Sequence, residues 1–318
     1  MVEAMTLAIE AASPSIEPEA CVLSNRSASL RSEDTMTDPK ADDPGKALTR
    51  DELRGAVREH YGKVARTDGA VGCAPGCCNP GPNASLGLGY SADDLASVPE
   101  GSDMGLGCGN PQAIAALRSG ETVLDLGAGG GFDCFLAAKQ VGESGRVIGV
   151  DMTPDMVTKA RGNATKLGAT NVEFRLGEIE HLPVSDGTVD VILSNCVVNL
   201  SPDKKSVFLE AFRVLKPGGR LAISDVVATR ELPAALGDLI ASFAACIAGA
   251  APVEDVRRWL QEAGFQDIAV QVSEPSRAFI REWMPGSNAE AFIASASIQA
   301  IKPGSKACCG PTCCASEA

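Results

Sequence analysis

The sequence is short of several things, and each shortage narrows the function. Aromatic residues make up only 4% of the 318. A surface that stacks the bases of single-stranded nucleic acid therefore has little to build from. Cations are outnumbered, 28 Lys and Arg against 41 Asp and Glu, for a net charge of −13. Phosphate backbones and anionic membranes are poor partners for such a chain. The apolar run Leu239 to Val253 stops short of the ~20 residues that cross a bilayer. The opening MVEAMTLAIE carries glutamates and no basic region, unlike a secretory signal. The expectation is a cytoplasmic protein with neither nucleic acid nor membrane as partner. Histidine is almost missing, His60 and His181 being the 2 present. A soft-metal site would have to be made from thiolates.

Cysteine is what the chain has in plenty, 12 residues. In a reducing compartment these point to soft-metal or reactive-thiol roles rather than disulfides. Residues 1–48 are rich in Ser, Pro, Asp and Glu without periodicity, the composition of a disordered leader. From Thr49, TRDE caps a helix that sets Leu53, Val57 and Tyr61 on one face. GCAPGCCNPGPN is a loop by its Gly, Pro and Asn, and holds Cys73, Cys77 and Cys78. MGLGCGNP is a second glycine loop, with Cys108 just ahead of a short helix.

The stretch around which the rest is organised is ETVLDLGAGGGFDCF. An apolar strand (Val123, Leu124, Leu126) runs into Gly127, Gly129, Gly130 and Gly131, and a helix follows. Glycines there permit positive φ and close approach of backbone to a ligand, which the helix N-terminus then faces. GRVIGVD, NVEFRLGE, VDVILSNC and GGRLAISDVV are further strands separated by helical patterns. That alternation means right-handed crossovers and a mostly parallel sheet. DIAVQVSEP and AFIASASIQAIK alternate as edge strands do, and residues 304–318 form a polar tail with CCGPTCC.

Carboxylates mark the ligand. Asp151 ends the second strand, where an acid accepts hydrogen bonds from ribose hydroxyls; its alternative role is a cap for the TPDMV helix. Asp125 stands beside the glycine turn, and Glu178 closes the third strand where it would reach a base. Acids so placed repel a pyrophosphate but tolerate a sulfonium amino-acid nucleoside. The balance favours S-adenosylmethionine over a nicotinamide dinucleotide.

DLGAGGG, GVDM, LPVSDGTVDVILSN and RVLKPGGRLAISD resemble the class I S-adenosylmethionine-dependent methyltransferases across residues 115–275. More specifically, GLGCGNP, DLGAGGGFDCF, GVDMTPDMV, SNCVVNLSPDK and ACIAGA resemble the arsenite methyltransferases over most of 50–300. The resemblance implies a Rossmann-like fold, a mostly parallel seven-strand sheet flanked by helices with a C-terminal α+β extension. It implies arsenic-binding, catalytic thiols at Cys108, Cys196 and Cys246, and a further thiol in the Cys73/Cys77/Cys78 loop, with Cys78 favoured. The donor would be held by Gly127, Gly129, Asp151, Met152 and Glu178, with Asp125 and Asn195 as further candidates.

Elementary chemistry agrees. Ligands of open α/β sheets bind at the carboxyl ends of strands, where Asn195 and Cys196 sit. Cys246 falls in DLIASFAACIAGA, an apolar stretch expected to be helical. Trivalent arsenic is soft and suits three thiolates, whereas zinc would want a fourth ligand. Orientation and desolvation can then supply ~7–11 kcal/mol of a barrier. The expected function is methylation of arsenite or its thiol conjugates with S-adenosylmethionine, a reducing thiol being the co-substrate. Two alternatives stand beside it: a small-molecule C- or O-methyltransferase with incidental cysteines, or a non-enzymatic soft-metal sequestering or sensing protein. The expected domains are 49–228 for donor binding, 229–303 as a cap over the arsenic site, and 304–318 as a flexible tail.

Overall fold

A computed structural model describes residues 49–67, 84–233, 246–283 and 285–304. The leader, the Cys73/Cys77/Cys78 loop and the CCGPTCC tail lie outside the described residues. Helix α1 (Arg50–Arg66) opens with a capping box in which Thr49 and Glu52 satisfy each other's backbone N–H, as TRDE led one to expect. Three short helices follow: α2 (Ala84–Gly87), α3 (Ala92–Ala96) and α4 (Pro111–Ala115).

The sheet then builds by parallel crossovers: β1 (Thr122–Leu126), α5 (Phe132–Val141), β2 (Arg146–Asp151), α6 (Pro154–Leu167) and β3 (Val172–Leu176). β4 (Val189–Asn195), α7 (Lys204–Val214) and β5 (Leu215–Ala228) extend it on the other side of β1. Beyond these lie β6 (Ala251–Pro252), α8 (Val253–Ala263), β7 (Gln266–Ser273), α9 (Arg277–Trp283) and β8 (Ile293–Ile301). The strand order is β3-β2-β1-β4-β5-β8-β7, seven strands in line, with the two-residue β6 pairing off β5. β1 to β5 are parallel; β8 runs antiparallel to both β5 and β7.

One expectation changes here. β8 is not an edge strand but lies between β5 and β7. Its Ala296, Ile298 and Ala300 join the core under the sheet; of the two expected edge strands, β7 alone lies at an edge, opposite β3. The central strands are buried on both faces, Val123, Leu124, Ile192 and Leu193 being fully enclosed, as crossover helices on both sides of a parallel sheet require. Among the described residues no helix is long and apolar enough to cross a membrane.

Candidate active site

At the carboxyl end of β1 the chain turns sharply. Gly127 and Ala128 donate their N–H groups to the Val150 carbonyl of β2, at 2.7 and 3.0 Å. Gly127 (φ +68) has no room for a side chain: a Cβ would lie 2.4 Å from Val197. The turn ends at Gly131 (φ +92), and α5 starts behind it. A cleft opens above, walled by Asp125, Gly127, Gly129, Asp151, Met152 and Asn195 together with residues of α1 and the loop before α4. Six of the seven expected donor-site residues are thus brought together.

The seventh, Glu178, is not among the residues lining the cleft. Its carboxylate pairs with Arg58 at 3.1 Å and Arg54 at 3.6 Å on α1. Its neighbours Ile179 and Glu180 line the cleft instead. Asp151 accepts from the Gly129 N–H at 3.0 Å and the Thr153 N–H at 2.8 Å. Thr153, not Asp151, is the N-cap of α6. Burial pushes the Asp151 carboxyl up despite those amide donors. Asp125 accepts a bond from the Cys134 thiol at 3.2 Å, and burial raises both groups. The described wall carries Asp103, Asp125, Asp133, Asp151 and Glu180 against the single cation Arg54. Such a wall fits a cationic sulfonium nucleoside and disfavours a pyrophosphate.

Of the three thiols Cys196 lines this cleft, and Cys108 and Cys246 cluster with it behind the wall. Asn195 closes β4, and Cys196 leaves it at φ +61, a left-handed conformation costing a β-carbon residue about 1–2 kcal/mol. The Cys196 N–H donates to the Ser224 carbonyl at 2.8 Å, anchoring it to β5. Cys246 also has φ +61. It stands in a turn rather than a helix, and its thiol donates to the Cys196 carbonyl at 3.3 Å. Residues 234–245 before it lie outside the described set. Cys108 is gripped on both sides by residues without side chains. A Cβ at Gly107 would meet Asn195 at 2.7 Å, and one at Gly109 would meet Ser224 at 2.9 Å. Close approach explains why the motif is Gly-Cys-Gly. The Asn195 amide locks it, accepting from the Cys108 N–H at 3.0 Å and donating to the Gly109 carbonyl at 2.9 Å.

Cys108, Cys196 and Cys246 are all buried in one cluster with Val226, Ala228 and Ile247. Burial pushes the Cys108 thiol up; hydrogen bonds with Cys108 and Cys246, then burial, push Cys196 well up. The Cys108 and Cys196 thiols are therefore neutral at pH 7. Two groups beside them escaped the sequence reading. Asp225 brings a carboxylate oxygen within 4.8 Å of the Cys108 and Cys196 sulfurs, and burial raises it to about 6. Lys204 donates to the Asn199 and Ser201 carbonyls at 3.2 and 2.9 Å, and burial lowers it. Position at the carboxyl end of β5 was the available signal for Asp225. A third network, Tyr90 donating to Asp133 at 2.8 Å while accepting from Asn195 at 3.0 Å, ties the thiol loop to α5.

Fold and cleft together define an S-adenosylmethionine-dependent methyltransferase of the class I architecture, and a methyltransferase-domain family model matches residues 117–264. The arsenite methyltransferase of Halobacterium salinarum is 51% identical over 264 residues, 80% of this chain and 67% of that protein. The arsenite methyltransferase of Mus musculus is 35% identical over 68% of this chain and 58% of its own length. The alignments thus leave a third or more of each relative unmatched. The crystal structure of an arsenic(III) S-adenosylmethionine methyltransferase from Chlamydomonas reinhardtii superposes with a TM-score of 0.51 at 36% identity, covering 70% of this chain and 74% of that one. The chain belongs to the arsenite methyltransferase family.

Proposed function

We propose that the protein methylates trivalent arsenic, taking the methyl group from S-adenosylmethionine, with a small reducing thiol as co-substrate. The observation that carries this reading is the convergence of Cys108, Cys196 and Cys246, from three separate segments, on one buried cluster beside the acidic cleft. A methyltransferase acting on carbon or oxygen has no use for such a cluster, and a sequestering protein has none for the cleft.

The chain's residues divide the work. Arsenous acid condenses with the three thiols, As(OH)₃ + 3 RSH → As(SR)₃ + 3 H₂O. Each thiol proton leaves with a hydroxide as water. The raised thiol pKa values are no obstacle, since the substrate itself supplies the proton acceptor. Three sulfur ligands suit soft arsenic and leave its lone pair free. When bound, S-adenosylmethionine supplies an electrophilic methyl group; Gly127, Gly129, Asp151 and Met152 would hold it. The apolar side chains around the thiols exclude water, and the GCG loop and left-handed Cys196 fix the sulfurs in place. Methylation oxidises the arsenic formally by two electrons, which the reducing thiol restores. Arsenic detoxification would be the consequence.

Cys196→Ser and Cys246→Ser should each abolish methylation of arsenite while S-adenosylmethionine still binds. Cys108→Ser should retain activity on a monomethyl arsenical, which needs only two thiols. Arsenite turnover undiminished in either of the first two variants would remove the reading.

A further inference from the structure

The donor cleft is not the only approach to the thiols. Cys196 lines that cleft, but Cys108 lines a second one, of about 440 Å³, on the strands β5, β8 and β7. Its floor is set by strand register. Ser224, Ser297 and Gln271 stand side by side across the three strands, and Ser295 pairs with Ser273 in the neighbouring row. Ile293 and Ile301 of β8 flank Ser295 and Ser297 on the same face. The strand thus carries hydroxyls in the middle of a face that begins and ends aliphatic. Among the described residues lining this cleft none has a charged side chain. The contrast with the acidic donor cleft is sharp.

Cys108, itself buried, is part of the lining of this cleft. The Ser295 hydroxyl donates to the Cys108 carbonyl at 2.7 Å, and the Cys108 thiol donates to the Ser224 carbonyl at 3.5 Å. A surface of hydroxyls and amides without charge favours a neutral, hydroxylated solute. It offers nothing to a glutathione-like thiol, whose carboxylates and ammonium would lose water without gaining partners.

We infer that this serine-lined cleft is the entry subsite for neutral arsenous acid, which loads onto Cys108 first and by a route separate from the donor's. The inference rests on the arsenic reading above. The first step is As(OH)₃ + HS–Cys108 → (HO)₂As–S–Cys108 + H₂O. The As–S bond forms, one As–O bond breaks, and the thiol proton departs in the water, with no change of oxidation state. Cys196 and Cys246 then displace the two remaining hydroxyls from inside.

Gln271 and Ser273 lie exposed on edge strand β7, so Gln271→Trp and Ser273→Trp can obstruct the cleft without disturbing the core. Gln266→Trp, exposed on the same strand outside the cleft, is the control. Arsenite uptake by the full-length enzyme is followed through arsenic–sulfur absorbance, with and without saturating S-adenosylhomocysteine in the donor cleft. Both obstructing variants should load at least tenfold more slowly, with the control, the melting temperature and S-adenosylhomocysteine affinity unchanged. Wild-type loading should be insensitive to S-adenosylhomocysteine. Loading at the wild-type rate in both variants, or a block by S-adenosylhomocysteine, overturns the separate route while leaving the arsenic reading intact. Failure of the wild type to take up arsenite at all removes both.

Discussion

Gly127→Ala tests how tightly the donor turn is tied to the thiols. The added methyl would sit 2.4 and 2.5 Å from the two Val197 methyl carbons and 2.9 Å from its Cβ. Because the Cβ is also too close, rotating the valine about χ1 cannot relieve the contact. The backbone must move, and Val197 directly follows Cys196. Two costs combine: about 1–2 kcal/mol for a β-carbon at φ +68, and about 1–3 kcal/mol for overpacking. A loss of about 2–5 kcal/mol in urea unfolding is expected. A displacement of Cys196 by ~1 Å would lower turnover by roughly 10²-fold. Gly127→Ala/Val197→Ala should recover part of the stability, since the two valine methyls are gone while the left-handed strain remains. Wild-type stability and turnover in the single variant would refute the coupling between turn and thiol.

Asp151→Ala should weaken S-adenosylmethionine binding, charge-assisted hydrogen bonds being worth ~1.5–3 kcal/mol each, and should leave arsenite uptake intact; calorimetry with each ligand checks both halves. Asp225 has a folded pKa raised from 3.8 to about 6 by burial, so the folded state takes up a proton between about pH 6 and pH 4 that the unfolded chain does not. Wild type should therefore gain stability relative to Asp225→Asn as pH falls through that window, by up to about 3 kcal/mol. A pH-independent difference in urea melts would contradict the burial of this carboxylate. Deleting residues 307–318, with the paired cysteines of CCGPTCC, tests the tail as an arsenite-capturing arm that raises local thiol concentration into the ~mM range. The expectation is a higher apparent KM for arsenite at unchanged kcat, and superimposable curves would dismiss the arm.

What the sequence discloses and what it hides divide along a physical line. The glycine turn, Asp151 and the Gly-Cys-Gly loop are legible because backbone geometry restricts which residues can stand there. Glu178 and Glu180 are not separable from the text GEIE. Which of them faces the cleft depends on α1, where Arg58 pairs with Glu178 alone while Arg54 reaches both, Glu180 at 3.4 Å, across more than a hundred intervening residues. Asp225 reads as an ordinary acid at a strand end. Only the turn after β4, whose Asn199 N–H donates to it at 3.2 Å, places it in the interior beside the thiols. The positive φ of Cys196 and Cys246 leaves no trace in composition, since nothing local demands that a cysteine be left-handed.

The place of β8 also bears on how the protein is made. Synthesis delivers strands in chain order, yet the strand that covers β5 along Arg220–Ala228 is the last one described, Ile293–Ile301. Until it emerges, a nascent chain holding β1 to β5 presents a long open edge of unpaired N–H and C=O groups, the kind that recruits other chains. A ribosome stalled after β5 has emerged and before β8 has would therefore hold a sticky, incomplete sheet. Chaperone demand should peak late in translation and fall once those nine residues are free to pair.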